Sequence, residues 1–158
     1  MNTLLSALIA VLPVAAAATL GNLATMPKIG TWYAGLAKPS FNPPNWVFGP
    51  VWGLLYAMMA YAFFRVVDGQ PGPWTVAAIF LFLMQITLNA GWSLAFFAGE
   101  SPRSGLLVIF PLWLGILLTA FAFWQIDRWA SMLLWPYLAW VSFAVLLNRE
   151  IARLNPQQ

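Results

Sequence analysis

The sequence contains no cysteine and no histidine, and only seven basic and four acidic residues among 158. Without cysteine there are no disulfides, no thiolate nucleophile and no sulfur-based metal site. Without histidine the commonest metal ligand and the commonest general base are both missing. Conventional acid–base or metal-centred catalysis therefore has little to work with, and no metal site is expected. The scarcity of charge is equally restrictive. Soluble domains carry about a quarter charged residues, whereas this chain has 7% and could not cover a water-facing surface. No basic cluster or RNA-binding motif is present, so the net charge of +3 gives no reason to expect nucleic acid as a partner.

What is there is apolar: 62% of the residues, with a mean hydropathy of +0.79. The charges fall in clusters, around Lys28 and Lys38, Arg65 and Asp68, Glu100 and Arg103, Asp127 and Arg128, and Arg149 to Arg153. Five stretches between clusters reach the roughly 20 residues needed to cross a hydrocarbon core: Leu4 to Ala24, Pro44 to Phe64, Trp74 to Ala98, Ser104 to Trp124 and Trp129 to Asn148. Backbone groups in lipid must bond within their own segment, which makes these helices. No alternating ten-residue pattern supports a β-barrel. The expected fold is a single all-α membrane domain over residues 1–158, a five-helix bundle with a long lid loop at 25–43. The first stretch lacks a basic leader and is too long for a signal peptide. Lys28, Lys38, Arg103, Arg149 and Arg153 share one side, against Arg65 and Arg128 on the other. The positive-inside bias then puts the lid loop and C-terminus in the cytoplasm and the N-terminus outside. With no organelle transit signal recognisable, the expected location is a bacterial inner membrane.

The connector between the first two spans exceeds the usual two to eight residues of a helix–helix link, a length typical of lids, binding loops or disorder. Its Trp32, Tyr33, Leu36 and Phe41 argue for order, with Lys38, Pro39 and Pro43 as rigid or charged punctuation. Asn42 before Pro43 and Pro44 reads as a helix N-cap. Pro13, Pro50, Pro111 and Pro136 lie inside spans and should kink them. On the second span Phe48, Trp52, Tyr56, Met59 and Phe63 recur at helical spacing on one face. Asn89, Trp92 and Phe96 share a face of the third span, and Pro136, Trp140 and Ala144 one of the fifth. An amide inside a membrane must face a partner or a cavity, which turns Asn89 inward, with Gln85 one turn earlier. These stripes describe either a pocket for a flat aromatic ligand or ordinary packing with interfacial Trp and Tyr belts. Gly91, Ala95 and Gly99 form a small-residue row suited to close helix approach, either across a homodimer interface or within one bundle. Gly49 and Gly53 suit packing inside the bundle.

Taken together, Trp32-Tyr33, Lys38-Pro39, Asn42-Pro43-Pro44-Asn45-Trp46-Val47-Phe48, Pro50, Trp52, Tyr56, Asn89 with Trp92, and Trp135-Pro136-Tyr137 with Trp140 resemble the translocator protein family. That family includes the bacterial tryptophan-rich sensory proteins and the mitochondrial peripheral-type benzodiazepine receptor, and the resemblance spans essentially the whole chain. It implies a five-helix bundle, usually a homodimer, whose first loop closes over a pocket for protoporphyrin IX, haem and related tetrapyrroles, and in some members sterols or benzodiazepine-site ligands. It implies tetrapyrrole transport or the sensing and regulation of tetrapyrrole metabolism, with no obligatory cofactor. Light-dependent porphyrin degradation is the alternative, and a membrane scaffold a second one. Ligand-facing positions carried over are Tyr33, Trp52, Tyr56, Asn89, Trp92, Trp140 and Ala144. Trp52 and Trp140 would be catalytic only in the photochemical case. Haem iron would find only weak ligands such as Met or Tyr, so a tetrapyrrole would be held by shape and stacking.

Two departures stand out. Animal members carry a Tyr-based sterol-recognition pattern near the end of the fifth span, and here Phe143 to Arg149 contains no Tyr. Leu55, Tyr61 and Arg65 fit that weak pattern only formally, on another helix. Trp92 stands where the family's pocket can carry Phe, which implies a different pocket volume.

Overall fold

The computed structural model describes residues 2–157, which form helices and no strand. The elements are α1 (Thr3–Ile29), α2 (Trp32–Gly35), α3 (Asn45–Asp68), α4 (Thr75–Ser93) with a π-helical continuation over Leu94–Ala98, α5 (Pro102–Trp124), α6 (Arg128–Met132) and α7 (Trp135–Leu154). Five segments are long and apolar enough to span a membrane: Thr3–Ile29, Asn45–Asp68, Thr75–Ala98, Pro102–Trp124 and Arg128–Leu154. Large apolar side chains such as Leu4, Leu54, Val76, Leu107 and Phe121 face outward. That much exposed apolar surface suits lipid and not water.

Packing fixes the order round the bundle as α3, α1, α4, α5, α7, because α1 lies against α3 and α4, and α5 against α4 and α7. The seam between α3 and α7 is closed at the lid end by aromatic side chains. Phe48 meets Trp140 edge-on at 6.0 Å, and Phe41 meets Phe143 at 6.2 Å. Two hydrophobic clusters result. The larger holds Met59, Phe63, Phe82, Ile116, Phe123 and Tyr137, with Phe63 stacked on Phe82 at 4.0 Å. The smaller, at the lid end, joins Tyr33 and Leu36 to Phe96, Phe97, Leu147 and Ile151.

Several boundaries differ from those read in the sequence. Residues 25–29 stay in α1 despite Pro27, and the Thr31 hydroxyl bonds the Pro27 carbonyl at 2.9 Å. The lid therefore covers 30–44 and contains the single helical turn of α2. Asn42 does not cap α3, which begins at Asn45 behind Pro44. Residues before a proline avoid helical geometry, so the helix cannot start as early as Asn42. The fifth span is broken after α6, and Pro136 lies in the first turn of α7, where its missing N–H costs nothing. This span also runs on to Leu154.

At the end far from the lid, Arg65 Nε donates to Asp127 Oδ2 at 2.8 Å, joining α3 to α6. Asp127 Oδ1 accepts the N–H groups of Trp129 at 2.8 Å and Ala130 at 3.2 Å, capping α6. Burial pushes the Asp127 carboxyl upward, but the Ala130 N–H and the Arg65 guanidinium outweigh it and hold its pKa below the usual carboxylate value.

Candidate functional site

The stripe on α3 does face inward at the lid end, and a cavity of about 710 Å³ lies beside it. Ligand sites commonly fall in the range of about 300–1,000 Å³. Its walls include Phe48, Trp52 and Tyr56 from α3, Trp92 and Phe96 from the α4 end, Trp140 and Ala144 from α7, and Tyr33 from the lid. No charged side chain is among the described lining residues. Of the seven expected ligand-facing residues, six line this cavity.

The seventh, Asn89, does not. Its Oδ1 accepts the Tyr56 hydroxyl at 2.8 Å and its Nδ2 donates to the Tyr137 hydroxyl at 2.9 Å, so the buried amide is fully engaged behind the wall. The amide faced partners and not the cavity, because one turn of α4 brings it between two phenols. It acts on the site by fixing Tyr56, which lies 5.5 Å from the Trp52 ring, while Trp52 meets Tyr137 edge-on at 6.2 Å. Trp92 is oriented in the same manner. Its indole N–H donates to Asn148 Oδ1 at 3.0 Å, and Asn148 Nδ2 donates to the Pro102 carbonyl at 2.7 Å. Gly105 makes this possible, since a Cβ there would fall 2.8 Å from Asn148 Oδ1 and from Phe96 Cδ2. Trp92 then stacks on Phe96 at 5.3 Å.

The lid is ordered by its own side chains. Tyr33 is buried and donates its hydroxyl to Asn42 Oδ1 at 2.8 Å. Burial pushes its phenol up to about 12, with the Asn42 bond opposing. Trp32 lies edge-on to Phe96 at 5.6 Å. Leu36 is buried in the small cluster, while Pro39 and Pro43 are half-buried. Lys38 Nζ donates to the carbonyls of Leu36 at 3.0 Å and Ala34 at 3.3 Å, and sits 4.8 Å from the Tyr33 ring centre. Partial desolvation lowers its pKa. Lys38 is thus a staple within the lid and does not line the cavity.

Sequence reading missed the contribution of α1, whose Ala18, Gly21, Asn22, Thr25 and Met26 form a whole wall. The signal was Asn22, an amide inside an apolar run, which carries the same expectation as Asn89. Ser93 and Asn148 also line the cavity. Gly49 and Gly53 do not pack against another helix. A Cβ at either would meet nothing within 4 Å, and both border the cavity, so they leave volume open. Of the small-residue row Gly91, Ala95 and Gly99, the two glycines have different surroundings. Gly91 points at Val108 of α5, 3.8 Å from where its Cβ would be. Gly99 is required locally because a Cβ there would lie 2.7 Å from the Ala95 carbonyl oxygen.

Residues 9–154 match the model of the TspO/MBR family. The tryptophan-rich protein TspO of Chlorobaculum tepidum is 47% identical over 132 residues, 82% of this chain and 84% of that protein. Its counterpart in Archaeoglobus fulgidus is 38% identical over 153 residues, 96% of each. The human translocator protein is 39% identical over 127 residues, 78% of this chain and 75% of that protein. Agreement over nearly the whole length, with relatives in bacteria, archaea and animals, makes this chain an integral multi-pass membrane protein that belongs to the TspO/MBR family.

Proposed function

We propose that the cavity binds a tetrapyrrole such as protoporphyrin IX or haem, and that the protein serves in its transport or in sensing and regulating tetrapyrrole metabolism. The observation that carries this reading is the cavity itself, large, uncharged and walled by aromatic rings from α3, α4 and α7. A flat conjugated ring gains from offset or edge-on contact with such walls, at about 0.5–1.5 kcal/mol per ring pair. Beyond stacking, haem iron would find among the described lining residues only the weak thioether of Met26. The hydroxyls of Tyr33 and Tyr56 are already donated to Asn42 and Asn89. A second reading, light-driven oxidation of bound porphyrin, is favoured by the presence of both Trp52 and Trp140 in the wall. Homodimerisation, a bacterial inner membrane and a cytoplasmic lid belong to the same proposal.

Titration of the purified protein in nanodiscs with protoporphyrin IX tests it. Tryptophan fluorescence should be quenched with a dissociation constant of about micromolar. Trp52→Phe and Trp140→Phe variants should retain binding and, under illumination, lose any protein-dependent bleaching if the second reading holds. Absence of saturable quenching overturns both readings.

A further inference from the structure

We propose that Asn155, at the C-terminal cap of α7, is the positioning residue that clasps the lid shut over the cavity. The backbone leaves helical geometry here, with φ −125° and ψ 67°. The side chain turns to the lid residue Ala37. Asn155 Oδ1 accepts the Ala37 N–H at 3.0 Å, and Asn155 Nδ2 donates to the Ala37 carbonyl at 2.9 Å. This pair of bonds imitates the exchange between two opposed residues of a β-ladder. Only a side-chain amide offers a neutral donor and acceptor at that spacing. The second Nδ2 proton reaches the Ile151 carbonyl at 2.8 Å, which fixes the amide plane.

Ile151 lines the cavity and packs in the same cluster as Tyr33 and Leu36. The clasp, the buried lid residues and the cavity wall therefore meet at one turn of α7. The bonds of Tyr33 to Asn42, and of Lys38 to Ala34 and Leu36, hold the lid's shape without tying it to the bundle. Asn155 itself does not line the cavity. It acts through Ala37, so breaking the clasp frees Tyr33 to swing away from the cavity while the helices stay packed. The effect on ligand exchange rests on reading the cavity as a ligand site, but the effect on lid opening does not.

Hydrogen exchange of the ligand-free protein in nanodiscs tests the clasp. Asn155→Ala should speed exchange across residues 31–44 by about tenfold, leaving α5 amides unchanged. Asn155→Asp keeps the acceptor for the Ala37 N–H but loses the donor, and should fall between. Stopped-flow release of bound protoporphyrin IX should accelerate by a similar factor in Asn155→Ala. Unchanged lid exchange overturns the clasp, and so does faster exchange spread equally through α5. Faster lid exchange with unaltered porphyrin release removes the lid from the exit route. Failure of porphyrin to bind the wild type instead overturns the cavity reading, and lid exchange still decides the clasp.

Discussion

Asn89 and Gln85 are buried amides one turn apart on α4, and their circumstances are opposite. Both ends of the Asn89 amide are bonded, to Tyr56 and to Tyr137. Among the described residues, neither the oxygen nor the nitrogen of the Gln85 amide has a partner. Removing one member of a satisfied buried pair strands the others, at about 1–3 kcal/mol. Replacing an unsatisfied amide by an apolar group of similar shape is close to neutral or stabilising. Asn89→Leu should therefore lower the thermal midpoint followed by circular dichroism, by several degrees, and Gln85→Leu should not. A drop of equal size in Gln85→Leu would mean that its amide is engaged. The sequence indicated that Asn89 must point inward, from the cost of an amide in lipid. It could not indicate that the partner would be Tyr137, 48 residues away on another helix.

At the scale of elements, span existence was legible because the bilayer imposes a minimum apolar length, and all five helices followed from it. The details that shape the site were not. A π-helical turn has no compositional marker, yet Leu94–Ala98 turns Phe96 and Phe97 together into the lid cluster. The fifth span opens just before Pro136, the local effect expected of a proline inside a span, but the sequence did not show that a new helix, α7, would begin there. Asp127 is a clearer case, a cap and an ion-pair partner in one residue. Its folded pKa is depressed, so its contribution to stability is present above the unfolded value of 3.8 and is lost as the pH falls below it. An asparagine caps as well as an aspartate, so Asp127→Asn removes chiefly the partly exposed ion pair, worth about 0.2–1 kcal/mol. Thermal unfolding should show wild type ahead of Asp127→Asn at neutral pH, with the gap closing below about pH 4. A gap that persists in acid would assign the loss to packing and not to charge.

For the whole molecule, the cavity exists because α3 carries glycine where it borders that space. Gly53→Leu would place a branched side chain into open volume and add helix propensity. It should leave thermal stability within about 0.5 kcal/mol while weakening protoporphyrin IX affinity about tenfold or more. Unchanged affinity would place the ligand elsewhere. Aromatic stripes on α3 and α7 announced this space, whereas α1 signalled its wall only through Asn22, set among small residues like those of an ordinary membrane helix.

Both hydrophobic clusters border that cavity, the lid cluster through Tyr33, Phe96 and Ile151 and the larger one through Trp52, Tyr56 and Trp140 packed against it. The lid cluster is small, whereas the larger one links the spanning helices. Such a division predicts a hierarchy of opening free energies within one chain. The lid can open and re-close as a subglobal unit, many times over, during a single lifetime of the native bundle. Exchange of the proposed ligand would then be timed by the Asn155 clasp and six buried side chains, independently of what holds the protein in the membrane.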